Sequence, residues 1–309
     1  MMQRLAEFRI YYNHTIHPEL LRMEKKRRNL LALLVGSVFL LTAIFLIEMY
    51  IDIPVLSLFM LAPIGFYIAY LVYRIQKFRS TFKPYVVNLI LDFIDDGLNF
   101  GTLTYDHKGL IPKKKFIASR IFSTPAPEYR GEDLIEGKIG ELDFKMCELS
   151  VKEFSRVRNR LNYVFKGVFL HATFKKPMRG TIIILPKEFK QYLSRSIKAY
   201  IRFGARMVEE GYLSDRFEAA FMAYATPDAS TQSLLSEEMQ EAITDYREQT
   251  GKEIYVSFIN NEIYIGVTEP KDILEPYIFS SNVSFELVRE FFEDLQLLVS
   301  IVQDFDANH

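Results

Sequence analysis

Two long uncharged runs constrain this chain more than any other feature of it. Leu30 to Ile47 reads LLALLVGSVFLLTAIFLI, and a second run, Ile53 to Tyr73, follows the short polar break Glu48-Met49-Tyr50-Ile51-Asp52. At ~1.5 Å of rise per residue the first run makes about 27 Å of helix, close to the thickness of a bilayer's hydrocarbon layer. Two such runs in close succession predict a two-span transmembrane hairpin over residues 30–73 rather than a pair of buried core helices. Pro54 near the start of the second run costs little, and Pro63 and Gly65 within it are tolerated where neighbours satisfy the backbone.

Flanking charge sets the expected orientation. Residues 1–28 hold seven basic and three acidic residues and end in Lys25-Lys26-Arg27-Arg28. Arg74, Lys77, Arg79 and Lys83 follow the second run, whereas the break between the runs carries only Glu48 and Asp52. Both termini are therefore expected in the cytoplasm. Lys25, Lys26, Arg27, Arg28, Arg74, Lys77 and Arg79 should then meet an anionic lipid surface. A cleavable signal peptide fits poorly, because the positive region and the apolar run are both long and a second run follows.

Residues 1–29 read as a cytoplasmic amphipathic helix with Leu5, Phe8, Tyr12 and Ile16 on one stripe and Pro18 near a break. That stripe suits either the lipid surface or the chain's own domain. Residues 74–309 read as a cytoplasmic α+β domain. Helix is expected through Asp96, loop over 99–110 and a short basic helix at Lys113–Ile117. The period then changes to two, as in Leu142, Phe144 and Met146. Further strands are expected at 163–174 and 181–185. A hairpin turning at Asn260-Asn261 joins Ile254–Phe258 to Ile263–Val267. Helices are expected near 188–210, 234–249 and 284–304. The fold class is thus α+β: an N-terminal helix and a transmembrane helical hairpin, then a mainly antiparallel sheet flanked by helices.

Chemistry is less visible. With 38 basic against 39 acidic residues the chain lacks the basic excess of a general nucleic-acid binder, so no nucleic acid is expected as partner. Cys147 is the only cysteine, which excludes an internal disulfide and a cysteine-based zinc site. Neither a G-x-S-x-G elbow nor a Gly-rich phosphate loop occurs. His171 is the one histidine within a strong strand pattern. No catalytic residue, metal ligand or cofactor follows. Glu132, Asp133 and Glu136 form the best carboxylate cluster, and Lys138, Phe165, Lys166 and Phe169 complete the expected binding surface. Arg156-Arg158-Arg160 and Lys175-Lys176 add basic patches, while residues 269–309 carry nine acidic and two basic residues. Glu290, Glu293 and Asp294 are expected on the wet face of the terminal helix.

The stretch Tyr129-Arg130-Gly131-Glu132-Asp133-Leu134-Ile135-Glu136-Gly137-Lys138-Ile139-Gly140, with Cys147-Glu148-Leu149, resembles the bacterial DUF3137 family. Phe165-Lys166-Gly167-Val168-Phe169, Phe217-Glu218-Ala219-Ala220-Phe221, Ser257-Phe258 and Leu274-Glu275-Pro276 continue the resemblance in order along nearly the whole chain. Ser214-Asp215-Arg216-Phe217 and Asp228-Ala229 stand where the family usually has Leu-Glu-x-x-x-Phe and Asp-Gln. The resemblance implies a multi-pass protein of the bacterial inner membrane without an assigned activity, and a LemA-type membrane protein as partner. Three functions follow as expectations. The first is a membrane-anchored, non-enzymatic interaction or ligand-binding module. The others are a membrane-interface hydrolase using the carboxylate cluster with His171, and a homo-oligomeric transport or pore assembly.

Overall fold

The computed structural model describes residues 2–51, 55–95, 103–139, 142–155, 160–174, 179–189, 193–208, 211–229, 231, 235–271 and 274–307. Pro54, Asp52, Asp96, Gly140, Arg156, Arg158 and Lys175-Lys176, singled out above, lie outside them. The chain divides into two compact units, Met1–Phe93 with Leu274–Phe291, and Ile94–Ile273 with Phe292–His309.

The first unit is helical. Helix α1 (Met2–Tyr11) passes through a single π-turn (Tyr12–Ile16) into α2 (His17–Ile51), and α3 spans Val55–Asp95. The π-turn has a local cause. Pro18 lacks an N–H and its ring would strike the carbonyl four residues back, so the helix widens and the His17 N–H donates to the Tyr12 carbonyl instead. Phe8, Tyr12, Ile16 and Leu20 form a buried stripe four residues apart. Phe8 packs on Phe93 (ring centroids 5.2 Å) and Tyr12 on Phe285 (5.0 Å), so the amphipathic stripe is used by the chain itself. Neither of the boundaries expected at 29/30 and 73/74 interrupts a helix. Both α2 and α3 are long and apolar enough to cross a membrane, and only 11% of each apolar window is buried inside the protein.

The second unit is a sheet of nine described strands, every pairing antiparallel. They are β1 (Thr104–Asp106), β2 (Glu128–Ile139), β3 (Leu142–Ser155), β4 (Arg160–Thr173), β5 (Thr181–Pro186), β6 (Arg206–Met207), β7 (Phe221–Ala225), β8 (Ile254–Ile259) and β9 (Glu262–Thr268). Their order is β1-β2-β3-β4-β9-β8-β5-β7-β6. The first four strands form a meander, and the β8–β9 hairpin docks between β4 and β5 with Gly167 opposite Thr268. Gly167 has φ 150°, and a Cβ there would stand 2.0 Å from the Val267 carbonyl, so only glycine admits this strand contact. The hairpin turns at Asn260, whose φ of 57° asparagine tolerates.

The central strands β5, β8 and β9 are buried along nearly their whole length, which requires cover on both faces. One cover is made by α4 (Lys113–Ala118), the segment through Ala126, and α5 (Ser194–Arg202), around Phe116, Phe122, Phe165, Phe169 and Tyr255. Helices α6 (Asp215–Ala220) and α7 (Glu237–Thr250) follow, and α8 (Phe285–Ala307) closes the chain. Mixed helix and antiparallel sheet, after an apolar helical N-terminal region, is the architecture expected.

Several local expectations change. The helix near 188–210 shrinks to α5 because Gly204, at φ 87°, ends it before β6. The 99–110 loop contains β1. Gly131 and Gly137 lie within β2, where a Cβ would meet Leu149 and Leu103 at 2.6 and 2.4 Å.

Candidate functional site

Strand β2 slips register against β3 between Glu132 and Ile135. This bulge holds Asp133 at φ 62° and tucks its side chain inward, leaving it 7% exposed. Two groups from the β1 edge meet it there. The Tyr105 hydroxyl donates to Asp133 Oδ1, and His107 Nδ1 lies 3.2 Å from the same oxygen. The Asp133 N–H donates to the His107 carbonyl at 3.2 Å, so backbone and side chain fasten β1 to the bulge together. Burial, then the Asp133 hydrogen bond, raises the Tyr105 hydroxyl above its ordinary range and keeps it neutral. Glu132 stands directly across from Glu148, and one oxygen each from Glu132, Asp133 and Glu148 lies within 4.8 Å of the others. Acidic groups cluster this way without an ion too, and the grouping alone assigns no metal.

An aspartate oriented on Nδ1 of a histidine is two-thirds of an acyl-transfer triad. Among the described residues, His107 has no hydrogen bond to a serine, threonine or cysteine. Cys147 is an inert core thiol: its sulfur accepts the Ile111 N–H at 3.3 Å, and burial pushes its pKa up to about 12.

The remaining predicted residues disperse. Glu136 pairs with Lys145 across the strands, and Lys138 with Asp143 at 3.6 Å, both on the wet face. Lys166 donates to the Pro270 carbonyl at 2.8 Å. Phe165 and Phe169 were expected on a binding surface but are core residues. They are 3% and 0% exposed, with Phe165 against Phe122 and Phe169 against Phe116, because α4 and the segment through Ala126 cover the face of β4 they occupy.

His171 does not join the carboxylate cluster. Its Nε2 lies 3.0 Å from Glu262 Oε1, an oxygen that also accepts from Lys115, while the Tyr264 hydroxyl donates to Oε2 at 2.5 Å. Burial raises the Glu262 carboxyl, but the bonds from Lys115, Tyr264 and His171 outweigh it and hold the pKa at about 2. Burial lowers the pKa of His171 despite that partner. The hydrolase grouping expected above is thus split between two separate polar clusters.

The basic flank of the first apolar run is also divided. Arg27, expected at the lipid surface, is buried. Its guanidinium reaches Glu24 at 2.7 and 2.9 Å and also donates to the Ile278 carbonyl. Arg28 joins Glu24 at 3.0 Å, and the Arg27 hydrogen bond leads in holding the Glu24 carboxyl down at about 2. Arg79 pairs with Glu275 at 3.4 Å, so part of the acidic C-terminal region meets cations of the chain itself.

Residues 163–307 match the family model described as Protein of unknown function (DUF3137). The chain carries a DUF3137 domain. The match begins within β4, so the Glu132–Glu148 bulge lies outside the matched stretch. None of the curated proteins compared with the chain matches it. One solved structure is similar, the mycobacterial trehalose monomycolate transport factor A, TtfA, at 10% identity and a TM-score of 0.30. The likeness covers 63% of this chain and 88% of that one. A TM-score of this size does not establish a shared fold.

Tyr105, His107, Glu148 and Glu262 were missed in the sequence. The first two sit in a Gly-containing stretch that reads as loop, and only the bulge brings them to Asp133. Glu262 follows a turn and looks like an ordinary hairpin-end charge.

Proposed function

We propose that this DUF3137-domain chain is a membrane-anchored binding module, with α2 and α3 crossing the bacterial inner membrane and both ends in the cytoplasm. One observation carries the anchoring: the apolar residues of these helices face outward. Phe39, Leu46, Phe59 and Phe66 are each 60% exposed or more. A water-soluble monomer rarely exposes an apolar patch beyond a few hundred Å². A core helix of the same composition would be mostly buried, and a leader sequence does not account for the second helix. The basic flanks give the orientation.

Binding rather than catalysis is supported by the polar clusters, in which Asp133 and Glu262 are engaged in holding strands together. The wet face of β2, with Glu136 and Lys138, is the surface offered to a partner, with a LemA-type membrane protein the first to probe. Cross-linking mass spectrometry on the full-length protein in native membranes tests this. A stoichiometric partner cross-linked to residues 113–166, and lost in Glu136→Ala/Lys138→Ala, is expected. Capture unchanged in that variant would remove this surface. Release of the protein by alkaline carbonate would overturn the anchoring, and an active periplasmic reporter fused to the C-terminus would overturn the orientation.

A further inference from the structure

On α2, Lys26, Asn29, Leu30 and Leu33 fall on one face at spacings of three and four. Tyr70, Leu71, Arg74, Lys77 and Phe78 do the same on α3. The two faces line one cleft of about 460 Å³. Lys26 stands one turn before the first uncharged run begins, and Arg74 is the first residue after the second run ends. The cleft therefore straddles the change from charged to apolar sequence on both helices at once. Cations hold its outer end, and Leu30, Leu33 and Leu71 continue it toward the apolar stretch.

Three cations and no carboxylate line this cleft. The neighbouring cations are engaged within the protein: Arg27 and Arg28 on Glu24, and Arg79 on Glu275. Among the described residues, Lys26 and Lys77 have no acidic partner. Arg74 donates to the Tyr70 hydroxyl at 3.1 Å and stands 5.8 Å from the centre of its ring, a contact that aims the guanidinium while leaving its charge unneutralised. Converging uncompensated cations beside an apolar wall call for a phosphate attached to hydrocarbon, and basic pockets between spans at the cytoplasmic face are suited to such headgroups.

We infer that the cleft between α2 and α3 is a specific site for one anionic phospholipid, its phosphate held by Lys26, Arg74 and Lys77 and its acyl chain running along Leu30, Leu33 and Leu71. The inference rests on the membrane-anchored reading and goes beyond a diffuse basic surface, because it selects three of the flanking cations and leaves Arg27, Arg28 and Arg79 out.

The test is native mass spectrometry of the full-length protein in mild detergent, titrated with phosphatidylglycerol, phosphatidylcholine or inorganic phosphate. One phosphatidylglycerol should bind with at least about tenfold preference over phosphatidylcholine, and millimolar phosphate should not displace it. Arg74→Gln/Lys77→Gln should weaken that binding about thirtyfold, roughly fivefold for each cation removed. The charge-matched Lys25→Gln/Arg28→Gln variant should bind as the unaltered chain does. Equal weakening in both variants would reduce the site to diffuse surface charge and overturn it. Displacement by free phosphate would overturn the lipid assignment in favour of a soluble anion. A protein that resists carbonate extraction yet shows no lipid preference refutes the cleft alone, whereas one released by carbonate refutes the anchoring on which it rests.

Discussion

Replacing Asp294 should unfold the sheet unit more readily than any substitution on its surface. Asp294 was expected on the wet face of the terminal helix, yet it is 3% exposed. Its two oxygens accept from Lys252 Nζ at 2.7 and 2.8 Å, and Oδ1 also accepts from the Tyr246 hydroxyl. Lys252 reaches Glu269 as well, at 2.8 Å. Burial raises the Asp294 carboxyl, with Lys252 and Tyr246 opposing. Burial works against the Lys252 charge, but Asp294 and Glu269 together keep its pKa raised. Removing one member of a buried ion pair costs about 3–5 kcal/mol, because the charge left behind has lost its compensation. Glu269 still holds Lys252, which places Asp294→Ala near about 3, and the lost acceptor of Tyr246 adds about 1 kcal/mol. At about 2–4 °C per kcal/mol for a unit of this size, Tm should fall by about 8–16 °C. The chain has no tryptophan, so thermal unfolding of the purified full-length protein is best followed by far-ultraviolet circular dichroism. Asp294→Asn keeps the shape and an acceptor but not the charge, and should fall between the two. A loss below about 2 °C in Asp294→Ala would refute the reasoning. So would an Asp294→Asn variant as stable as the unaltered chain, since the loss would then come from a cavity and not from charge.

Two further outcomes are expected. Glu262 has a folded pKa of about 2 against an ordinary 4.5, so its contribution to stability is fully present above about 4.5 and is lost as pH falls toward 2. His171, held below its ordinary 6.5, prefers to stay neutral when folded and adds a loss that begins as pH falls below about 6.5. In a series of Tm against pH, Glu262→Gln should flatten the limb below 4.5, and an unchanged slope would refute its role. Cys147, 1% exposed with its thiol pushed up to about 12, should resist a maleimide at neutral pH in the folded protein and react once denatured. Labelling of the native chain would show that the β3 core opens.

Elements that depend on local pattern are legible along the chain. The two apolar helices follow from run length, the half-alternating β3 from period two, and the β8–β9 hairpin from Asn260-Asn261 between alternating segments. Pro18 likewise marked the place where the helix must depart from α geometry. These signals are short-range: the residues that carry them are neighbours along the chain, so their spacing is their geometry.

Tertiary structure alone decided which charges are solvated and which hold the core together. Arg27 and Asp294 look like surface residues because a buried charge and an exposed one have the same sequence signature. Only the arrival of the Ile278 carbonyl beside the local Glu24–Arg27 pair, or of Lys252 and Tyr246 at Asp294, makes their burial affordable. The carboxylate cluster was legible as residues but not as a site. A one-residue register slip turns Asp133 inward onto Tyr105 and His107, and local pattern does not encode such a slip. The sorting of the basic flanks has the same origin. Lys26, Arg74 and Lys77 become one cleft only when two helices place matching faces together, and Arg79 leaves that set because Glu275, nearly two hundred residues away along the chain, folds back to meet it.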